Sequence, residues 1–191
     1  MDSARLEAFT DGVVAVIITI LVLEIRVPHG GDFTALQADV PILLAYVLSY
    51  LNVGIFWNNH HHMLQVTERV TGRVLWANLA LLFWLSLIPF VIRWIDEAGF
   101  VPLPTAAYGV VLLCAGVSYS ILERQIIAAD GRDSRLAMAL GDDLKGKLSI
   151  VLYASAIGLA YVRPWIAIVL YAAVALMWLV PDSRIESLVK K

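Results

Sequence analysis

Apolar residues run almost unbroken along six stretches of the chain, and polar clusters, prolines and paired glycines separate them. The pattern predicts helices over about residues 5–27, 41–58, 74–95, 105–122, 148–161 and 165–180. Pro28 and Gly30-Gly31 close the first, since proline lacks an N–H and glycine carries high backbone entropy. Asn58-Asn59 and three histidines end the second. Pro89 marks a kink in the third, and Asp96-Glu97-Ala98-Gly99 follows it as a loop. The polar stretch 123–147 carries much of the charge, with room for a short interfacial helix. Arg163-Pro164 makes a tight turn, and Pro181-Asp182 releases a basic tail. The layout predicts one six-helix domain over residues 1–191, with no internal repeat.

The first stretch, RLEAFTDGVVAVIITILVLEIRV, departs from a lipid-facing span. Gly12–Leu23 is apolar apart from Thr19, but it is shorter than the ~20 residues a lipid-facing helix needs. Arg5, Asp11, Glu24 and Arg26 lie in or beside it. An ionised group at the bilayer centre costs roughly 3 kcal/mol or more. The helix is therefore expected to sit inside protein, as the innermost of the six. At about 100° per residue, Val16, Thr19, Ile20 and Leu23 fall near 0°, −60°, 40° and −20°. Three aliphatic side chains and one hydroxyl thus share a narrow stripe, with Asp11 almost opposite. Spacing of this kind is by itself the pattern of a packing seam.

Composition makes the membrane reading firm. The 191 residues are 60% hydrophobic and 16% charged, against about 45–50% and 25% in soluble domains. Mean hydropathy is +0.79. A net charge of −2 gives no footprint for nucleic acid. The lone Cys114 lies in an apolar run and forms no intrachain disulfide. No basic n-region precedes the first apolar run, so that run is expected to stay as a helix. Eleven of the fourteen basic residues fall on one side of the six-helix layout: Arg5, Arg69, Arg73, Arg124, Arg132, Arg135, Lys145, Lys147, Arg184, Lys190 and Lys191. Arg26, Arg93 and Arg163 fall on the other. The positive-inside rule then puts both termini in the cytoplasm.

Candidate chemistry is sparse. There is no phosphate loop, CxxC, readable Ser/His/Asp set or TVGYG filter, so the chain reads as no enzyme and as no ordinary potassium channel. Three consecutive histidines point three ways on a helix, so His60, His61 and His62 cannot share one metal in the HExxH manner. Asn78 lies within an apolar run and calls for a partner on another helix. Arg5 and Asp11 differ in direction by about 120°, so each is expected to find partners elsewhere. Asp11 can equally act as a cap near the helix N-terminus.

Taken together, these residues resemble the bacterial members of the transmembrane-protein-175 potassium channel family. The family's first-helix motif, Arg-x-x-x-Phe-Ser-Asp, reads here as Arg5, Phe9, Thr10 and Asp11, followed by Gly12. AVIITILVLEI, FWNNHH and WANLALLFWLSLIPF are similar to family segments on the first three helices. The resemblance implies an all-α membrane protein with six transmembrane helices per subunit, four subunits around one axis, and the first helix lining the pore. It implies a potassium channel, weakly selective over sodium, whose constrictions are rings of aliphatic side chains. By distance from the motif Asp11, those rings fall on Val16, Thr19, Ile20 and Leu23. A polar network of Arg5, Thr10, Asp11, Trp57, His60, His61 and Asn78 would support them. No cofactor or bound metal is implied beyond permeant K⁺; the partners are further copies of the chain and the lipid of a prokaryotic plasma membrane. Thr10 keeps the hydroxyl of the family's Ser. Val16 is shorter than the family's Ile or Leu, which widens that ring or moves the constriction to Ile20 or Leu23. The alternatives are a proton- or metal-coupled transporter using Asp11, Glu24 and the histidines, and a haem anchor or membrane enzyme using His60–His62.

Overall fold

The computed structural model describes residues 3–28, 30–131, 133–140 and 143–179. Arg132, Pro181, Asp182, Arg184, Lys190 and Lys191, named above, lie outside them, as do residues 29 and 180. Among the described residues the elements are helical: α1 (Ser3–Leu23), α2 (Phe33–Gln65), α3 (Gly72–Ser86), α4 (Ile88–Ala98), α5 (Pro102–Asp130), α6 (Arg135–Leu140), α7 (Leu144–Ala160) and α8 (Pro164–Leu179). Four stretches, 3–23, 39–65, 72–98 and 102–130, are long and apolar enough to cross a membrane, and the protein is multi-pass.

Several boundaries differ from the sequence pattern, for local reasons. α1 stops at Leu23 rather than Val27, and Glu24 and Arg26 leave the helix to pair with α4. α2 begins eight residues before Pro41, because Asp32 Oδ1 accepts a hydrogen bond from Ala35 N at 2.9 Å and caps the new start. It also runs through the histidines to Gln65, which makes His60–His62 helical rather than a terminator. Pro89 splits the third stretch outright. Leu87 joins α3 to α4, and the proline opens α4, where its missing N–H is not needed. α5 continues beyond Leu122 to Asp130 and ends at Gly131, whose φ of 107° suits glycine. The short α6 lies within the polar stretch.

The second correction concerns the core. α5, not α1, is the central helix of the subunit, packed against α3, α4, α7 and α8. Its approach to α8 is close: a Cβ on Gly109 would overlap the Tyr171 hydroxyl and lie 2.8 Å from Ile157 Cγ1. Tyr171 is fully buried and donates to Thr105 O at 3.2 Å, so it has nowhere to retreat. Gly109→Val should therefore overpack this seam at a cost of about 1–3 kcal/mol. The check is a lowered thermal midpoint of the purified protein; an unchanged midpoint would show that the seam yields.

The far end of α5 also holds the α2–α3 connection. Both Asp130 carboxylate oxygens accept backbone hydrogen bonds, from Glu68 N at 3.0 Å and Arg69 N at 2.8 Å. The polar turn before α3 is thereby fixed, and with it the angle between the two helices that flank α1.

Candidate functional site

α1 has two different sides. Leu6, Thr10, Val14, Ile17 and Leu21 are buried against α2, α3 and α4. The other side is open: Val16 is 55% exposed, Ile20 37% and Leu23 78%, and Thr19 is exposed with them. Val16 and Leu23 stand clear of the subunit's own bundle, Thr19 is exposed beside them, and Ile20 lies at its border. The arrangement follows from the 3.6-residue period, which sets the buried row about 80–160° around from Val16. Arg5 and Phe9 share the open face.

Thr19 has a defined orientation. Its hydroxyl donates to Val16 O at 2.8 Å, one turn back on its own helix. The hydrogen is engaged by the backbone, so the oxygen presents lone pairs outward. A ring of such residues would offer acceptors, which suit a cation.

An open groove of about 1180 Å³ runs beside the stripe between α1 and α4, with Phe9, Val16 and Ile20 on one wall and Phe90 and Trp94 on the other. An ion-pair cluster lines its end: Arg93 Nη1 reaches Glu24 Oε2 at 3.2 Å and Arg93 Nε donates to Glu97 Oε1 at 3.0 Å. Outside the groove, Arg26 pairs with Asp96 at 2.8 Å. Two α1-side charges are thus tied to α4 just past Leu23.

At the opposite end of α1, side chains from three helices meet. Asn78 of α3, fully buried, donates from Nδ2 to Thr10 Oγ1 at 2.9 Å, and its Oδ1 lies 2.7 Å from His60 Nε2. Since an amide oxygen only accepts, His60 must carry its proton on Nε2. Trp57 Nε1 donates to Asp11 Oδ1 at 2.7 Å. His61 Nδ1 meets Glu7 Oε1 at 2.6 Å, its Nε2 meets Gln65 Nε2 at 2.8 Å, and its ring stacks on Trp57. Of the seven network residues expected from the sequence, six meet in this way. Arg5 does not: it is exposed on the stripe side, with no ion pair or side-chain hydrogen bond among the described residues. Glu7 and Gln65 belong to the cluster and were not expected. Their signal was present, because Glu7 and Asp11 form one i, i+4 ladder and Trp57, His61 and Gln65 another. His60 and His61 go to different partners, the His62 ring lies tilted against that of His61, and no group of three metal-ligating side chains occurs among the described residues.

Comparison with known proteins bears on this geometry directly. The family model for the endosomal/lysosomal potassium channel TMEM175 matches residues 5–89, which contain the stripe and the whole polar cluster. A potassium channel of Chryseobacterium sp. is 48% identical over 191 residues, covering all of both chains. The chain belongs to the TMEM175 family. A second family relative, a potassium channel of Streptomyces collinus, is 29% identical over 93% of this chain and 91% of its own. Among solved structures, a lysosomal potassium-selective channel TMEM175 homolog from Chamaesiphon minutus superposes with a TM-score of 0.83 at 24% identity, covering 94% of this chain and 97% of that one. The TMEM175 fold therefore extends beyond residue 89, through the α5–α8 bundle.

Proposed function

We propose that this chain is the subunit of a homotetrameric potassium channel, weakly selective over sodium, in which four α1 helices surround the axis. The observation that carries the reading is the one-sided exposure of α1. The relatives named as potassium channels, one of them matching from end to end, support the ion.

On this reading, Val16, Ile20 and Leu23 form aliphatic rings and Thr19 forms a hydroxyl ring between them. An aliphatic constriction blocks by dewetting when narrow, and an ion must shed part of its hydration to pass when it widens. Potassium gives up water more readily than sodium, while the Thr19 oxygens replace some of what is lost. Such a filter separates the two ions less sharply than a cage of carbonyls. The polar cluster at one end and the Glu24–Arg93 and Arg26–Asp96 pairs at the other fix α1 against α2, α3 and α4, so the rings keep their level. Six membrane crossings per subunit follow if α3 and α4 count as one broken span and α7 and α8 as a hairpin. With the basic residues placed inward, both termini lie in the cytoplasm of a prokaryotic cell.

The test is the reversal potential of reconstituted protein with potassium on one side and sodium on the other. A modest displacement toward the potassium equilibrium potential is expected. Zero reversal would remove the selectivity, and the absence of current would remove the channel.

A further inference from the structure

The open face of α1 has two unlike shoulders. On the α4 side, Phe9, Val13 and Ile20 lie about 20–60° around from Val16 and form one wall of the groove. On the other side, Ala15 and Val22 lie about 100–120° the opposite way and are exposed too. There Asp11 is held by Trp57 of α2, and the α2 surface continues the shoulder with the exposed Leu44, Val47 and Tyr50. The stripe thus stands between a groove and an uncovered apolar helix face.

We infer that the α1–α4 groove seats the α2 shoulder of a second copy of this chain, and that the contact repeats head to tail around the axis. The inference rests on the pore reading above. Around a four-fold axis each subunit meets its neighbours about 45° to either side of the direction to the centre. A stripe at the axis therefore turns the groove toward the next copy rather than toward lipid. Since the two shoulders differ, the contact is heterologous and closes a ring instead of pairing like with like.

Charge at the end past Leu23 matches this seating. In the groove, Glu24 and Glu97 share the single guanidinium of Arg93. Arg26 belongs to the other shoulder, in a small pocket with Pro41 and Ile42 of α2. Its side chain is 51% exposed, and among the described residues its Nε alone is engaged, by Asp96. Asp39 and Asp96 of the same pocket are less exposed than Arg26. Arg26 of one copy therefore supplies the second guanidinium for the two carboxylates of the next, a group that one subunit lacks there. Ile20 belongs both to the groove wall and to the stripe, so the seating of the neighbour also sets the width of that ring.

The test uses full-length chains in a Cys114→Ala background, co-expressed as two versions of different tag length and oxidised in the membrane. One version carries Val47→Cys. The other carries Phe90→Cys, an exposed position on the α4 wall of the groove. A mixed cross-linked dimer is expected, several-fold more abundant than either like-with-like dimer. Val169→Cys, exposed on α8, should give none when it replaces Val47→Cys. Should Val47→Cys or Phe90→Cys fail to fold, Arg26→Cys and Glu97→Cys bridged by a short bis-maleimide give the same readout. The mass of the oligomer and its reversal potential are measured on the same preparation. A potassium-selective tetramer without the mixed cross-link would leave the groove to lipid and overturn this inference while the pore reading stands. Phe90→Cys joined chiefly to itself would make the contact like with like and overturn it as well. A monomer would overturn both readings.

Discussion

Val16→Asn and Leu23→Asn should each raise conductance and weaken potassium selectivity in a reconstituted bilayer. Both side chains stand on the open face of α1, with Leu23 at 78% exposure and Val16 at 55%. Their replacement therefore disturbs little of the subunit's own packing. An aliphatic ring repels water and adds a dewetting barrier; an amide ring holds water through the same cross-section. Asparagine keeps the branched four-atom outline of leucine but is smaller, so at position 23 wetting is added together with some width. Lowering the barrier by about 1.4 kcal/mol would increase the rate of passage about tenfold. Selectivity should fall in the same variants, because an ion that keeps its hydration shell is no longer sorted by the cost of losing it. Thr19→Val separates the two effects: it removes oxygens without adding water, so selectivity should fall while conductance does not rise. Unchanged currents in both asparagine variants would take this face out of the pore.

Asn78→Leu should destabilise the subunit more than any other single change in the polar cluster. Asn78 is fully buried and, among the described residues, is the side chain that hydrogen-bonds to both α1 and α2. Leucine has the same branched outline, somewhat bulkier, and leaves the His60 Nε2–H and the Thr10 hydroxyl without that partner in an apolar interior. A buried polar group without a partner costs about 1–3 kcal/mol, although hydrogen bonds between membrane helices average nearer ~0.6 kcal/mol. A total on the order of 2 kcal/mol follows, a factor of about 30 in the folded-to-unfolded ratio. The check is the thermal midpoint of detergent-purified protein, with Thr10→Ser as the variant that keeps the hydroxyl and should stay near the original. Trp57→Phe should cost less, because Trp57 is 39% exposed and water can serve Asp11 in its place. A midpoint in Asn78→Leu equal to that of the unmodified protein would show that the three-helix junction does not hold α1.

What the sequence made legible was what depends on period and on polar atoms in apolar runs. The α1 stripe follows from 100° per residue, and the need of Asn78 for partners follows from its setting in an apolar helix. The helix ends were less legible, because they depend on tertiary partners. α1 stops early because Glu24 and Arg26 find Arg93 and Asp96. α5 runs past Leu122, although the sequence turns polar there, because Glu123 and Ile126 remain buried in the bundle. Asp130 looked like ordinary loop charge and proved to hold the α2–α3 turn. The expectation that α1 is the innermost of the six helices does not hold within the subunit, where that place belongs to α5. Arg5 was grouped with the polar cluster by its motif, yet its angle, about 20° from Val16 by the same arithmetic, puts it on the open face.

Cysteine accessibility along α1 tests the stripe most directly. In a Cys114→Ala background, Leu23→Cys and Val22→Cys can be compared under a membrane-impermeant cationic thiol reagent while current is recorded. Both native side chains are exposed in the subunit, at 78% and 49%, but they point about 100° apart around the helix. Rapid block of Leu23→Cys with Val22→Cys left conducting is the result expected if the stripe faces the axis. Block of Val22→Cys with Leu23→Cys untouched would turn the stripe toward lipid and contradict it.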